Sequence, residues 1–374
     1  MKIGIDARMY GAAQTGIGIY IKHLIEEIVK LDRENEYRIF LLEPEYSNFF
    51  SDNAKVKIIR VSAGWYGWKE QIILPRQFLK EHVDLMHFPH FNAPLFYPRP
   101  CVVTIHDLTP KYFPGHKVGA SRHRRLAFEF VLKNILKKAE TIIAVSEYTK
   151  QDILRHYPVS PDKMTVIYEG ARLKDKVCVN EGQIQNLKNK YGIKKPFIFY
   201  VGVWRNHKNL TGLIRAFGIL IKEYKLDIEL VLGGKEDPFY PEARQEWERS
   251  ELGSRIIRPG FIPDEELPLF YKAAEVFAIP SFAEGFGLVG LEAMNFGAPV
   301  ASSSVGSLPE ILGRAAVYFN PADHREMAKA IFSVLSDTLL RKRLIETGFE
   351  QAKKYSWRKM AEETLKVYKE AVNE

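Results

Sequence analysis

A chain of 374 residues is too long for one ordinary core and suits two domains of under about 200 residues each. Hydrophobic residues at 46% and charged residues at 27% exclude a disordered chain, while a net charge of +8 favours anionic partners without choosing among nucleotide diphosphates, lipid head groups and nucleic acid. Two cysteines, Cys101 in a predicted strand and Cys178 in a predicted linker, exclude a disulfide framework and a thiolate metal cluster, which points to a reducing cytoplasm.

The first apolar run, Ile3 to Ile5, has no basic region and long apolar stretch before it, so no signal peptide is expected. No apolar run reaches about 18 residues, so no spanning helix is expected, and attachment to a membrane surface stays open. Asp6-Ala7-Arg8 follows, then Gly11 to Gly18, then an amphipathic stretch carrying Ile19, Tyr20, His23, Leu24 and Ile28. Thr15-Gly16-Ile17-Gly18 can present amides to a phosphate at that helix start, but the spacing is not G-x-G-x-x-G and a plain helix entry reads equally well.

Further short apolar runs at Ile39 to Leu42, Val56 to Val61, Leu85 to Phe88, Val102 to Ile105, Ile142 to Val145 and Met164 to Ile167 alternate with amphipathic stretches. That alternation predicts a parallel sheet with helices on both faces. Trp65 to Trp68 forms a small aromatic cluster in a predicted loop, suited to stacking on a sugar ring or to packing the loop on its own domain. His87 and His90 follow one strand and His106, within Thr104-Ile105-His106-Asp107, follows the next. No H-E-x-x-H or i, i+4 pair supports a metal site there, and a histidine bonded to its own loop is the plain alternative. Lys111 to Lys138 carries eight basic residues (Lys111, Lys117, Arg122, Arg124, Arg125, Lys133, Lys137 and Lys138) against one acidic, Glu129. With Leu126, Phe130, Ile135 and Leu136 on one helical face, this segment is either a solvated basic face or a surface for an anionic membrane leaflet or a lipid-linked diphosphate.

A second series of strands is predicted at Phe197 to Val203, Ile228 to Leu232, Ile256 to Phe261, Val276 to Ile279, Pro299 to Ala301 and Val317 to Phe319. The chain thus reads as α/β, with two Rossmann-like doubly wound domains at 1–172 and 196–356 and, between them, a linker at 173–195 that holds a short candidate helix at Ile184 to Tyr191. A final helix at 357–374, with one apolar stripe of Trp357, Met360, Ala361, Thr364, Leu365, Tyr368 and Val372, is expected to return to the first domain. Open parallel sheets bind ligands outside their C-terminal strand ends, so two such domains facing each other would form a cleft. After the first strand of the second domain comes Trp204-Arg205-Asn206-His207-Lys208-Asn209, placing Arg205 and Lys208 where two cations can clamp a diphosphate or simply decorate the surface.

The stretch Pro280 to Gly297, PSFAEGFGLVGLEAMNFG, sets Glu284 and Glu292 apart with seven residues between them. Glu284 falls in a loop, Gly285 and Gly287 turn the backbone, and Leu288, Leu291, Glu292 and Met294 continue at helical spacing. Such a helix start suits a phosphate and the flanking carboxylates suit sugar hydroxyls, although a helix cap and a surface glutamate are the plain reading of any such pair. Glu292 lies about 6 Å along the axis beyond Leu288, so the carboxylates bracket a ligand lengthwise. They stand too far apart for the pair that a retaining glycosidase holds at about 5 to 5.5 Å.

Glu284-Gly285-Phe286-Gly287-Leu288, Glu292-Ala293-Met294 and Gly297-Ala298-Pro299-Val300 resemble the E-x7-E signature of retaining glycosyltransferases of family 4, which have the two-domain GT-B fold. Arg205, Lys208 and Asn209 resemble the family's R-x-x-K-N, and His106 resembles a histidine in a T-x-H-D-like setting. The resemblance implies that Glu284 meets the donor sugar, that Glu292 meets the ribose, and that the amides of Gly285, Phe286, Gly287 and Leu288 meet sugar and diphosphate. It further implies that Arg205 and Lys208 hold the diphosphate, that His106 shapes the reaction centre, and that Gly16 and Gly18 line donor or acceptor. His87 and His90 are expected nearer the acceptor. Gly233-Gly234-Lys235 and Gly260-Phe261-Ile262 resemble loops around the base.

No D-x-D triplet occurs, so no catalytic metal and no cofactor are expected. The implied activity is transfer of a hexose, first choice mannose from GDP-mannose, to a glycan or lipid-linked glycan acceptor, by a cytoplasmic enzyme that can sit peripherally on an anionic membrane and binds no nucleic acid. UDP-glucose as donor, a nucleotide-sugar epimerase of the same fold, and a catalytically silent membrane- or polysaccharide-binding subunit are the alternatives.

Overall fold

The computed structural model describes residues 1–11, 15–65, 67–115, 121–171 and 179–373, without the side chains of residues 15, 68 and 373. Tyr66 and the Trp68 side chain of the aromatic cluster, Lys117, Cys178 and residues 173–178 of the expected linker lie outside the described residues. The chain divides into two units, Met1–Gly170 with Ser356–Glu374, and Ala171–Tyr355.

The first unit holds β1 (Lys2–Asp6), β2 (Glu36–Leu41), β3 (Val56–Arg60), β4 (Leu85–Phe88), β5 (Cys101–Ile105), β6 (Thr141–Ala144) and β7 (Met164–Val166). These pair in parallel in the order β3-β2-β1-β4-β5-β6-β7. The central strands are covered on both faces, with β4 and β5 buried at every residue, whereas the edge strand β3 has no fully buried residue. The chain steps outward through β2 and β3, then returns past β1 to β4. The connections after β1 and β4 therefore leave toward opposite faces and open a crevice between them.

Two helices close one face of this sheet. Thr15–Leu31 buries Tyr20, Ile21, Leu24, Ile25 and Ile28, and Trp357–Asn373 buries Met360, Ala361, Thr364, Val367, Tyr368 and Ala371. The imidazole of His23 stacks on Trp357 with ring centres 4.5 Å apart. The final helix is thus part of the first unit. Its buried stripe runs through Val367 and Ala371, while Val372, expected on that stripe, is exposed.

The second unit holds β8 (Phe197–Val201), β9 (Glu229–Gly233), β10 (Ile256–Gly260), β11 (Val276–Ile279), β12 (Val300–Ser303) and β13 (Ala316–Phe319), parallel in the order β10-β9-β8-β11-β12-β13. Here the order reverses between β8 and β11. The candidate helix of the expected linker is present as Glu181–Tyr191, three residues longer at its start than the spacing suggested, begun by an Asn180–Gln183 capping box and stopped by Gly192 in the left-handed region. Ile184 and Leu187 are buried, and the Tyr191 ring lies 5.2 Å from that of Phe270 in the helix Leu267–Ala273, so this stretch is part of the second unit.

Candidate active site

In the second unit the expected ligand residues gather at the reversal of strand order. β8 ends at Val201 and its loop carries Arg205, His207 and Lys208; β11 ends at Ile279 and its loop carries Ser281 and Glu284. Lys208 Nζ meets Glu284 Oε1 at 2.7 Å, and Ser281 Oγ donates to the same oxygen at 2.7 Å. Burial pushes the Glu284 carboxyl up, but the Lys208 charge and the hydrogen bonds from Lys208 and Ser281 outweigh it and hold the carboxyl below its ordinary value. His207 is driven the other way, down to about 4, by burial and then by the neighbouring Lys208 charge.

Asn209, which pattern reading had left without a role, ties the two loops together. It sits in the left-handed region at φ 54°, where asparagine is tolerated, and its Oδ1 caps the helix Leu210–Lys222 by accepting from Gly212 N. Its Nδ2 donates to the carbonyls of Pro280, at 3.0 Å, and Pro321, at 2.8 Å. Phe282 N adds a bond to the His207 carbonyl at 2.7 Å. The two loops are thereby one backbone-bonded unit.

Glu284 is also fixed from behind. Ser307 donates to its carbonyl from both N and Oγ, at 3.3 and 3.2 Å. Gly306, at φ 65°, packs so close that a Cβ would stand 2.6 Å from the Glu284 carbonyl oxygen. Gly287 begins the helix Leu288–Asn295 at φ 92°, a conformation that suits glycine, so the amides of Gly287 and Leu288 lie at the positive end of that helix. Phe286 is buried edge-on against Tyr355. Glu292, far from being a surface glutamate, is only 9% exposed and accepts a hydrogen bond from Tyr271 OH at 3.1 Å. Arg205 is the outlying member: its side chain is half exposed and lies 3.5 Å from Asp237.

In the first unit, Gly16 and Gly18 fall in the first turn of Thr15–Leu31, within the helix and not in a loop before it. His106 stands at the end of β5, with Nδ1 2.8 Å from Glu169 Oε1 and Nε2 2.9 Å from the Pro89 carbonyl. His87 is fully buried, with Nδ1 on Tyr368 OH and Nε2 on Thr104 Oγ1, at 2.6 and 2.9 Å. That corrects the expectation that His87 lies toward the acceptor: both its nitrogens serve the packing of the last helix on the sheet. His90 lines a small crevice with Asp6, Arg8, Trp65, Pro89 and Asn92 at the β1/β4 reversal. Arg8 holds that crevice together, bonding both Asp6 oxygens, Glu70 and the carbonyls of Gly64 and Asn92.

The basic helix Arg122–Lys138 departs from its expected facing. Leu132, Ile135 and Leu136 are its buried residues, whereas Leu126 and Phe130 are about 60% exposed beside the exposed Arg122, Arg125, Lys133 and Lys137. Lys111 and Lys138 are engaged locally, by Glu129 and by the Leu95 carbonyl. No helix among the described residues is long and apolar enough to cross a membrane, and no group of three metal-ligating side chains occurs among them.

Two parallel-sheet Rossmann-like units, one of them carrying an E-x7-E pair beside a helix start, define a glycosyltransferase of the GT-B class. The fold matches sucrose-phosphate synthase from Thermosynechococcus elongatus with a TM-score of 0.79 at 22% identity, over 99% of this chain and 98% of that one. It matches Anabaena HepE in complex with UDP and glucose with a TM-score of 0.76 at 18% identity, over 99% and 100%. Residues 183–351 match the family described as glycosyl transferases group 1, and residues 15–175 match glycosyltransferase family 4. The O-antigen chain mannosyltransferase B of Escherichia coli is 32% identical over 78% of this chain and 76% of its own length. The serotype-specific mannosyltransferase WbdA of Escherichia coli is 29% identical over 76% of this chain, which spans about a third of that longer relative, 35%. The chain belongs to glycosyltransferase family 4.

Proposed function

We propose that this glycosyltransferase moves a mannosyl group from GDP-mannose, with retention of configuration, to a hydroxyl of a glycan acceptor that can be lipid-linked. The Lys208–Glu284 pair beside the Leu288–Asn295 helix start is the observation that carries the reading, because it sets a cation, amides and a carboxylate together at one strand reversal. The choice of mannose is supported by the mannosyltransferase relatives. In this reading the acceptor oxygen attacks the sugar carbon on the face from which the diphosphate leaves. The carbon–oxygen bond to the diphosphate breaks, and the acceptor proton passes to a diphosphate oxygen. Arg205, Lys208 and the amides of Gly287 and Leu288 take up the negative charge that grows on the leaving group. Glu284 orients the sugar hydroxyls, Glu292 the ribose, and His106 the reaction centre, with Gly16 and Gly18 beside the substrates.

Incubation with a panel of nucleotide sugars, following release of nucleoside diphosphate, tests this directly. GDP release from GDP-mannose is expected, and it should persist in EDTA because the cations and the helix start stand where a metal would otherwise neutralise the diphosphate. Faster release from UDP-glucose would replace the donor, and release from no nucleotide sugar in the presence of glycan acceptors would overturn the reading.

A further inference from the structure

Each ring nitrogen of His106 faces an acceptor of hydrogen bonds. Nε2 stands 2.9 Å from the carbonyl oxygen of Pro89, which can only accept, so Nε2 carries a hydrogen. Nδ1 stands 2.8 Å from Oε1 of Glu169, a buried side chain reached from the loop after β7. The backbone of His106 is fixed as well, since Thr149 Oγ1 donates to its carbonyl at 3.2 Å. We propose that Glu169 is the positioning residue of His106, holding its ring with a proton on both nitrogens, so that His106 meets its ligand as a fixed cation and not as a base.

The surroundings agree in sign. Burial pulls the His106 ring down, but the hydrogen bond and charge of Glu169, the Pro89 carbonyl and the adjacent Asp107 outweigh it and leave the ring above its ordinary value. The Tyr20 ring, from the helix Thr15–Leu31, meets the imidazole edge to face with centres 4.8 Å apart, and the Tyr20 hydroxyl is itself held neutral by burial. His87 and His90, the other rings at these strand ends, are pushed down to about 3, chiefly by burial and then by the His106 charge. Of the three, His106 is the one that faces a carboxylate among the described residues. Of these three rings, that of His106 is shifted toward its charged form and those of His87 and His90 toward their neutral form.

The consequence for catalysis rests on the placement of His106 at the reaction centre proposed above. A ring without a lone pair cannot take the acceptor proton, which leaves the departing diphosphate as the group that accepts it. Glutamate is also more than a spacer here. A glutamine at 169 would keep a hydrogen-bonding partner for Nδ1 but remove the charge that retains its proton.

Nitrogen-15 NMR of the histidine rings in the full chain tests the protonation state itself, with His106 signals identified by their loss in His106→Gln. Both ring nitrogens are expected to be protonated at pH 7. In Glu169→Gln the titration midpoint of His106 should fall by at least one pH unit, a tenfold loss of proton affinity, and Glu169→Asp should recover part of it. An unprotonated Nδ1 at pH 7 in the wild type, or an unmoved midpoint in Glu169→Gln, would overturn the proposal. If Glu169→Gln does not fold, the wild-type spectrum alone decides. Full turnover by His106→Ala would remove His106 from the reaction centre while leaving the NMR result intact, so the two failures are distinguishable.

Discussion

Lys208 Nζ and Glu284 Oε1 stand 2.7 Å apart, with their side chains only 20% and 12% exposed, at the ends of two neighbouring strands. A cation and a carboxylate so placed neutralise each other, and a diphosphate bound as proposed would have to compete with Glu284 for Lys208. The pair therefore links stability and binding at one point, which separates Lys208 from Arg205.

Arg205→Ala should leave stability within about 1 kcal/mol, because its contact with Asp237 is a loose surface pair. Lys208→Ala strands a mostly buried carboxylate and should cost about 3 kcal/mol, with Glu284→Gln in the same chain recovering most of that loss. Both cation variants should bind nucleoside diphosphate about 10-fold to 150-fold more weakly and turn over more slowly, from about 1.5 to 3 kcal/mol per charge-assisted hydrogen bond. Urea unfolding and calorimetric titration read the two effects apart; wild-type affinity in both variants would remove the clamp.

Glu292 should behave differently. Its carboxyl is buried against Tyr271 OH, one turn into the helix whose start is proposed to face the diphosphate. Glu292→Gln is expected to weaken donor and nucleoside diphosphate alike, with turnover at saturating donor nearly unchanged, since ribose contacts do not alter during reaction. A large fall in saturated turnover with unchanged product affinity would contradict a ribose role.

His106→Ala is expected to lower kcat by at least tenfold while changing donor affinity by less than threefold, as for a group that acts in the transition state, where each factor of ten is about 1.4 kcal/mol. Steady-state rates with nucleoside diphosphate binding as the control decide it. Equal losses in both would assign the residue to binding.

Stability should peak near the ordinary histidine value, about pH 6.5. Below it, His87 and His207 titrate in the unfolded chain but resist protonation in the folded one, down to about 3 and about 4, so the unfolded state binds more protons and stability falls as the pH drops. Glu284 adds to that fall, because its lowered folded value means its contribution is lost as pH drops through it. His106 has the opposite sign: its raised value gives stability that is complete below about 6.5 and is lost as pH rises through the folded value. Denaturation midpoints from pH 4 to 9 check the shape. His207→Gln should flatten the acid limb by up to about 1.4 kcal/mol per pH unit.

Association with anionic vesicles is expected at low salt and should fade at high salt, as the Debye length shrinks from about 10 Å at 0.1 M to about 3 Å at 1 M. The motive is the helix Arg122–Lys138, where exposed Leu126 and Phe130 stand among exposed basic residues. Phe130→Asp should weaken sedimentation with vesicles more than Phe50→Asp, which alters an exposed phenylalanine outside that helix. Absence of binding at low salt would end this reading.

Strand positions, the double sheet and the E-x7-E loop were legible in the chain itself, because they depend on periodicity and turn chemistry within windows of a few residues. The short apolar run Val276 to Ile279, closed by Pro280, specifies a buried strand and its exit; Gly287 specifies the turn into the helix that carries Glu292. The facing of the last helix was readable through Met360, Ala361, Thr364 and Tyr368, while the buried Val367 and Ala371 lie off the expected stripe. The helix Glu181–Tyr191 is legible from its spacing as a short element in the linker, but its packing into the second unit is not, because that depends on Phe270, a partner remote in sequence that no local pattern reveals.

Which polar groups meet was settled by the fold. Lys208 and Glu284 are separated by 76 residues, His106 and Glu169 by 63, and Glu292 from Tyr271 by 21. Asn209 bridges Pro280 and Pro321 only because the strand order places β8 beside β11. The amino-acid pattern determined that glutamates, cations and histidines would stand at strand ends. The order of strands in each sheet decided that one lysine would be neutralised by a glutamate, that one histidine would be sealed into the core, and that another would face a carboxylate, because hydrogen bonds and charges act over a few ångströms of space and take no account of distance along the chain.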